Sequence, residues 1–134
     1  MRVFLKKLKK TNEPLCALGW SFANDSLDVC RTINGLCNKK EVLKCSFYAV
    51  DKEDHPVGIV LGAEHEEYIE IRYIYVMSVY RKMGIGSKLL NKILDYSQKR
   101  CKAIQLYCHK ELKDFYKKFG FMSNSDLIVM VRGL

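Results

Sequence analysis

The stretch Arg81-Lys82-Met83-Gly84-Ile85-Gly86-Ser87 constrains this chain more than any other. It follows an apolar run, Ile69 to Met77, with the pattern of a strand, and opens a run from Ile85 to Arg100 with the pattern of a helix. Two glycines at a strand-to-helix turn let backbone N–H groups approach a ligand and point at it together. The helix start adds unsatisfied N–H groups and a partial positive charge. That combination favours a phosphate or pyrophosphate, and Arg81, Lys82 and Lys88 add charge beside it. The competing reading is a turn that merely joins strand to helix.

Spacing excludes two phosphate loops. Gly-x-x-x-x-Gly-Lys-Ser/Thr is absent, and Gly-x-Gly-x-x-Gly is incomplete, so neither a P-loop nor a dinucleotide fingerprint is present. What stands is Arg-x-x-Gly-x-Gly after a strand, with Val76 and Tyr80 just upstream. Further on comes Phe115-Tyr116-Lys117-Lys118-Phe119-Gly120-Phe121. The first motif resembles the acetyl-CoA-binding turn of the GNAT superfamily of N-acetyltransferases. The second is similar to that family's Phe/Leu-Tyr-x-x-Leu/Phe-Gly-Phe signature. Two motifs in this order, separated by one helix and one strand, are more specific than either alone. The detailed resemblance runs from Tyr68 to Phe121, with weaker similarity from about Cys45 to Val131.

The 134 residues are expected to form one domain, 1–134, with a real core. No apolar run approaches the roughly 18 residues of a membrane span. Met1 to Lys10 is basic but leads into no apolar segment, so the cytoplasm is the expected compartment. A net charge of +8 favours anionic partners: nucleic acid, acidic lipid, or a polyanion such as CoA. Cys16, Cys30, Cys37, Cys45, Cys101 and Cys108 include no Cys-x-x-Cys pair, and His55, His65 and His109 do not fall at zinc spacing. Reduced thiols, mostly in the core, and no metal are expected.

Arg2 to Leu5 reads as a strand. Thr11 or Asn12 caps a helix with Pro14 in its first turn and Leu15, Leu18 and Phe22 on one side. Ser26 caps Leu27 to Cys37. Cys45 to Val50, Val57 to Leu61 and Tyr68 to Val76 form an antiparallel meander, with Ala63 to Glu67 as a hairpin loop. The helix from Ile85 carries Leu89, Leu90, Ile93, Leu94 and Tyr96 on its apolar side. Ala103 to Cys108 is a strand, Lys110 to Phe119 a short helix ended by Gly120, and Leu127 to Val131 a closing strand. The fold class is mixed α/β. The resemblance implies a central twisted mixed sheet of about six to seven strands flanked by about four helices.

The resemblance further implies acetyl transfer from acetyl-CoA to an amine by direct attack. Arg81, Lys82, Met83, Gly84, Ile85, Gly86 and Ser87 would cradle the cofactor. A backbone N–H near Tyr75, Val76 or Met77, where two strands splay apart, would meet the thioester oxyanion. An alkyl ammonium, pKa about 10.4, must lose a proton before attack. Tyr116 holds the family's Tyr position and is the candidate acid for the leaving thiolate; the alternative is a core aromatic. Glu70, eleven residues before Arg81, is where histone-type members carry their base. By alternation Glu70 shares a face with Arg72, so an ion pair competes, and a bulge before Val76 would change the parity. His109 stands seven residues before Tyr116, where many members carry Asn, and is a second candidate base or an exposed strand-end side chain. Acceptor pockets of the family form around segments matching Trp20 to Cys37 and Met122 to Asp126. The expected partners are acetyl-CoA and an amine, in a small molecule or a protein; a homodimer is left open, and neither membrane nor nucleic acid is expected. The competing class is a basic module that binds CoA or nucleic acid without catalysis.

Overall fold

The computed structural model describes residues 2–9, 15–37, 39–123 and 129–132. Among these, seven strands form one sheet: β1 (Phe4–Lys7), β2 (Phe47–Val50), β3 (Pro56–Glu64), β4 (Tyr68–Val76), β5 (Ala103–Tyr107), β6 (Met122–Ser123) and β7 (Val129–Arg132). Their order is β1-β2-β3-β4-β5-β7-β6. The first four are antiparallel neighbours, β5 runs parallel to β4, and β7 is antiparallel to both β5 and β6. The helices are α1 (Leu15–Trp20), α2 (Leu27–Cys37), α3 (Lys40–Leu43), α4 (Ile85–Lys99) and α5 (Lys113–Lys117).

The parallel β4–β5 pair needs a crossover, and α4 supplies it. Ile85, Leu89, Leu90, Ile93 and Leu94 are buried, while Lys88, Lys92, Asp95 and Lys99 face solvent. Each fully buried Leu or Ile contributes about 1.5–3 kcal/mol. The helix lies close on β3 because Gly62 leaves room: a Cβ there would stand 2.5 Å from Ile93 Cδ1 and 3.0 Å from Cys45 Sγ. The other sheet face is covered by α1, α2 and the segment between them, which bury Phe22, Val29, Ile33 and Cys37 against Ile59, Leu61 and Ala63. The Ser26 cap of α2 is present: Val29 N–H donates to Ser26 Oγ at 3.3 Å.

Several boundaries differ from the sequence reading. The meander is as expected, but β3 runs through Ala63 to Glu64 and the hairpin loop shrinks to 65–67. A polar residue enters the sheet because Glu64 is fully partnered: Lys102 Nζ donates at 2.8 Å and Tyr96 Oη at 2.6 Å. The first strand lies two residues later than expected, at Phe4–Lys7. The helix expected over Lys110 to Phe119 is a 3-10 turn, Lys110–Leu112, followed by the five residues of α5. Phe22 lies past the end of α1 yet is 0 % exposed. Neither α3 nor β6 is foreseen. The expected cap at Thr11, Asn12 and Pro14 lies outside the described residues, as do Leu127 and Ile128. Cys30, Cys37 and Cys45 are buried thiols, whereas Cys101 is exposed.

Candidate active site

β4 and β5 pair only from Tyr68–Ala103 to Ile71–Leu106. Beyond Ile71 they part, and the second half of β4 keeps its hydrogen bonds to β3 alone. Met77 N–H donates to Val57 O at 2.9 Å, toward β3. Two-residue alternation therefore turns the N–H groups of Ile74 and Val76 to the opening. The sequence region singled out for an oxyanion donor, Tyr75 to Met77, thus contains one such group, on Val76. Tyr75 and Met77 face the α1–α2 side.

At the head of the opening sits the glycine turn. A 3-10 turn, Ser78–Tyr80, follows β4, and Gly84 takes φ 80° at the N-cap of α4. The first helical hydrogen bond there is Lys88 N–H to Gly84 O at 3.1 Å, so the N–H groups of Ile85, Gly86 and Ser87 have no partner within the helix. They open on a groove of about 230 Å³ lined by Val76, Tyr80, Arg81, Lys82, Gly84, Ile85, Gly86, Ser87 and Phe115. A Cβ at Gly86 would find Val76 Cγ2 at 3.8 Å as its nearest neighbour. Bare amides, a helix start and an unobstructed floor suit a pyrophosphate.

The basic side chains divide. Arg81 Nε donates to Val76 O at 2.9 Å, and its guanidinium lies 5.2 Å from the centroid of the Tyr75 ring. Lys82 and Lys88 are exposed and have no ion-pair partner among the described residues, and Lys82 lines the groove. Lys82 holds φ 65°, a left-handed conformation in which a side chain is strained.

Tyr116 lies on α5, next in sequence to the groove-lining Phe115. It is 4 % exposed and packs edge-on against Phe115 and Phe121. Burial, with the Cys108 thiol nearby, pushes its phenol up to about 12. It therefore keeps its proton throughout the ordinary pH range. His109 is exposed at the head of the 3-10 turn, its carbonyl accepting from Leu112 N–H at 2.9 Å.

Glu70 has the ion pair that its spacing allowed. Arg72 Nε donates to Oε1 at 2.8 Å, and His65 Nε2 lies 3.7 Å from the same oxygen. The parity change is real as well. Leu61 faces Tyr73 while Gly62 faces Ile71, so Arg72 is the extra residue of a bulge in β4. Glu70 stands opposite Ala63, on the α1–α2 face, with Tyr73 and Tyr75. A regular strand would have put Glu70 on the face of Ile74 and Val76. Neither His109 nor Tyr116 is among the side-chain partners of Glu70.

Sequence reasoning missed Asp25, in the segment between α1 and α2. Its carboxylate accepts from Tyr75 Oη, from Ser78 Oγ at 2.5 Å and from Ser78 N–H at 3.2 Å. These contacts span about fifty positions, a distance that local pattern does not cross.

Comparison with known proteins settles the family. The acetyltransferase (GNAT) family profile matches residues 14–121. The chain belongs to that family. Its reaction is accordingly transfer of an acetyl group from acetyl-CoA to an amine, and the bare amides of the groove fit the phosphates of that donor. It is 27% identical to N-alpha-acetyltransferase 50 of Danio rerio over 128 residues, covering 87% of this chain and 68% of the relative. Among solved structures, a protein of Pyrococcus horikoshii OT3 superposes with a TM-score of 0.80 at 19% identity, covering 99% of both chains. PaiA N-acetyltransferase of Thermoplasma acidophilum, solved with coenzyme A, superposes with a TM-score of 0.70 at 19% identity over 100% of both. These two likenesses establish the fold. Among the described residues, no helix is long and apolar enough to cross a membrane, and no group of three or more His, Cys, Asp or Glu is placed to hold a metal ion.

Proposed function

We propose that this GNAT chain acetylates the free α-amine of a polypeptide by direct attack on acetyl-CoA, within one domain spanning 1–134 and in the cytoplasm. The observation that carries the reading is the opening between β4 and β5, flanked by the N–H of Val76 and by the amides of Ile85 to Ser87. The thioester carbonyl accepts from Val76 N–H, which meets the oxyanion as it forms. The pyrophosphate lies on the helix start with Lys82 and Lys88. Tyr116 gives its proton to the leaving thiolate. Glu70, six positions before Val76 on β4, takes the proton of the amine through water.

The choice of acceptor rests on two supports. One is the likeness to a relative named as an N-alpha-acetyltransferase. The other is chemical. An α-amine has a pKa near ~7.7–8.0, against ~10.4 for a lysine side chain, so a useful fraction is neutral at pH 7. That suits a site whose carboxylate is already engaged by Arg72 at 2.8 Å. The test is acetylation of a peptide panel, followed by release of the CoA thiol. Peptides with a free N-terminus should turn over, and N-terminally blocked peptides retaining lysine should not. Turnover of only the blocked lysine peptides would move the acceptor to side-chain amines. Absence of turnover with any amine, together with firm CoA binding, would favour the non-catalytic module.

A further inference from the structure

Asp25 sits outside the acetyl-CoA groove and touches none of its lining except through other residues. Its two oxygens nevertheless meet the residues at which the chain leaves β4 and enters the glycine turn. Ser78 begins the 3-10 turn, and its N–H has Asp25 as acceptor. Ser78 Oγ donates to the same carboxylate at 2.5 Å, so this residue is held twice. Three positions later Arg81 N–H donates to Ser78 O at 3.4 Å, and the position of Arg81 follows from that of Ser78. The second route runs through Tyr75. Asp25 accepts from its hydroxyl, Phe22 meets its ring edge-on at 6.0 Å between centroids, and Tyr73 stacks on it at 6.4 Å. The ring so fixed carries the Arg81 guanidinium at 5.2 Å. Both routes from Asp25 therefore end at Arg81, the first residue of the phosphate turn.

We propose that Asp25 is a positioning residue for acetyl-CoA: through Ser78 and Tyr75 it fixes the turn from Arg81 to Ser87 in its binding geometry. A charged acceptor held by several donors on one segment gives a stiffer anchor than any single neutral hydrogen bond. The anchor comes from the layer that covers the opposite face of the sheet. Losing it frees the turn to sample conformations in which the amides of Ile85, Gly86 and Ser87 no longer converge. Binding then carries the cost of ordering them.

The test is calorimetric binding of CoA to the full chain, alongside steady-state kinetics. Asp25→Ala should raise the CoA Kd and the acetyl-CoA KM about tenfold, a factor equal to about 1.4 kcal/mol. The kcat at saturating acetyl-CoA should stay within about twofold, because Asp25 touches no reacting atom. Asp25→Asn keeps an acceptor oxygen and should recover most of the affinity. Ile33→Val, a buried change under the same layer, should lower Tm and leave the CoA Kd unchanged. If Asp25→Ala does not fold, Tyr75→Phe combined with Ser78→Ala removes the two hydroxyl donors instead, leaving only the Ser78 N–H, and should raise the Kd in the same direction. A lowered Tm with an unchanged CoA Kd in both forms would overturn the assignment and make Asp25 a structural anchor. Wild-type protein that fails to bind CoA would overturn it together with the acetyl-CoA reaction, a separate result visible before any variant is made.

Discussion

Arg72 Nε donates to Glu70 Oε1 at 2.8 Å, from the extra position of a bulge that puts Glu70 on the face of Tyr73 and Tyr75. The same irregularity therefore gives Glu70 a partner and aims it away from Ile74 and Val76. An ion pair and a base make different demands on this carboxylate. Glu70→Gln keeps an oxygen for Arg72 but cannot take a proton. As a base, its loss should lower kcat/KM about 10²–10⁴-fold and remove the acidic limb of the pH–rate profile. A residue that only pairs with Arg72 would cost stability and leave the profile in place. His109→Gln, measured beside it, should leave the acidic limb intact; transfer of the effect to that variant would assign the base to His109.

The two glycines of the turn fail differently when replaced. Gly84 has φ 80° and nothing within 4 Å of a would-be Cβ, so Gly84→Ala is opposed by backbone strain alone, about 1–2 kcal/mol. Gly86→Asp has ordinary room, with Val76 Cγ2 at 3.8 Å, and should fold normally. Its carboxylate then faces the cofactor phosphates. Wild type at one hundred times the Kd of acetyl-CoA should gain about 2.7 kcal/mol and a higher Tm. Gly86→Asp should keep its Tm without ligand and lose the shift. Lys82→Gly relieves the φ of 65° and should raise Tm while weakening acetyl-CoA binding, because it removes a positive charge from the lining of the groove. A Tm shift of wild-type size in Gly86→Asp would remove the pyrophosphate from this turn.

What the sequence made legible was local. Leu27–Cys37 and the start of α4 at Ile85 emerge with their observed boundaries because each has one strong period and a clear cap or glycine, and Tyr68–Val76 emerges from its run of β-branched and aromatic residues. The Gly120 stop is likewise visible, and its φ is 89°. The chain after His109 was harder, since Lys110–Leu112 eclipses its side chains in a 3-10 turn and blurs the helical period. Glu64 looked like loop because its partners, Lys102 and Tyr96, are more than thirty positions away. The bulge at Arg72 leaves no trace in composition, yet it decides which face Glu70 occupies. Asp25 had no motif at all, since its role exists only once β4 lies beneath it.

Stability should fall steeply in alkali. Burial pushes the Cys37 thiol from 9.0 up to about 11 and the Cys45 thiol up to about 12. The Tyr96 and Tyr116 phenols rise from 10.0 to about 12 for the same reason, and the Glu64 carboxylate beside Tyr96 pushes that phenol further. In the unfolded chain all four lose their protons first. Above about pH 9 the unfolded state binds fewer protons than the folded one, so stability declines as pH rises toward about 12. A group that holds its proton tenfold more tightly in the fold loses about 1.4 kcal/mol once both states have titrated. Urea midpoints at about pH 8 and about pH 10.5 measure the decline. Cys45→Ala should flatten it, and an unchanged slope would mean that the buried thiol ionises as easily in the fold as outside it.

Tyr116 separates chemistry from packing most cleanly. Its ring is 4 % exposed between Phe115 and Phe121, and burial pushes its hydroxyl up to about 12. Over the working range it remains protonated, so it can donate to the departing thiolate, and no basic limb near neutral pH should arise from it. Tyr116→Phe keeps the ring contacts and removes the donor. The fold and the acetyl-CoA KM should survive, while kcat falls about 10²–10⁴-fold. Tyr116→Ala deletes the ring and should cost about 3–5 kcal/mol, as buried aromatic truncations do. A side chain that serves packing alone gives the opposite pattern, with wild-type turnover in the Phe variant and instability in the Ala variant. Because Cys108 lies close enough to raise the Tyr116 pKa, Cys108→Ala is the control for a substitute donor. It should leave the rate of wild type unchanged and should also leave the residual rate of Tyr116→Phe where it is. A Phe variant that loses its remaining turnover only when Cys108 is removed would assign proton delivery to the thiol.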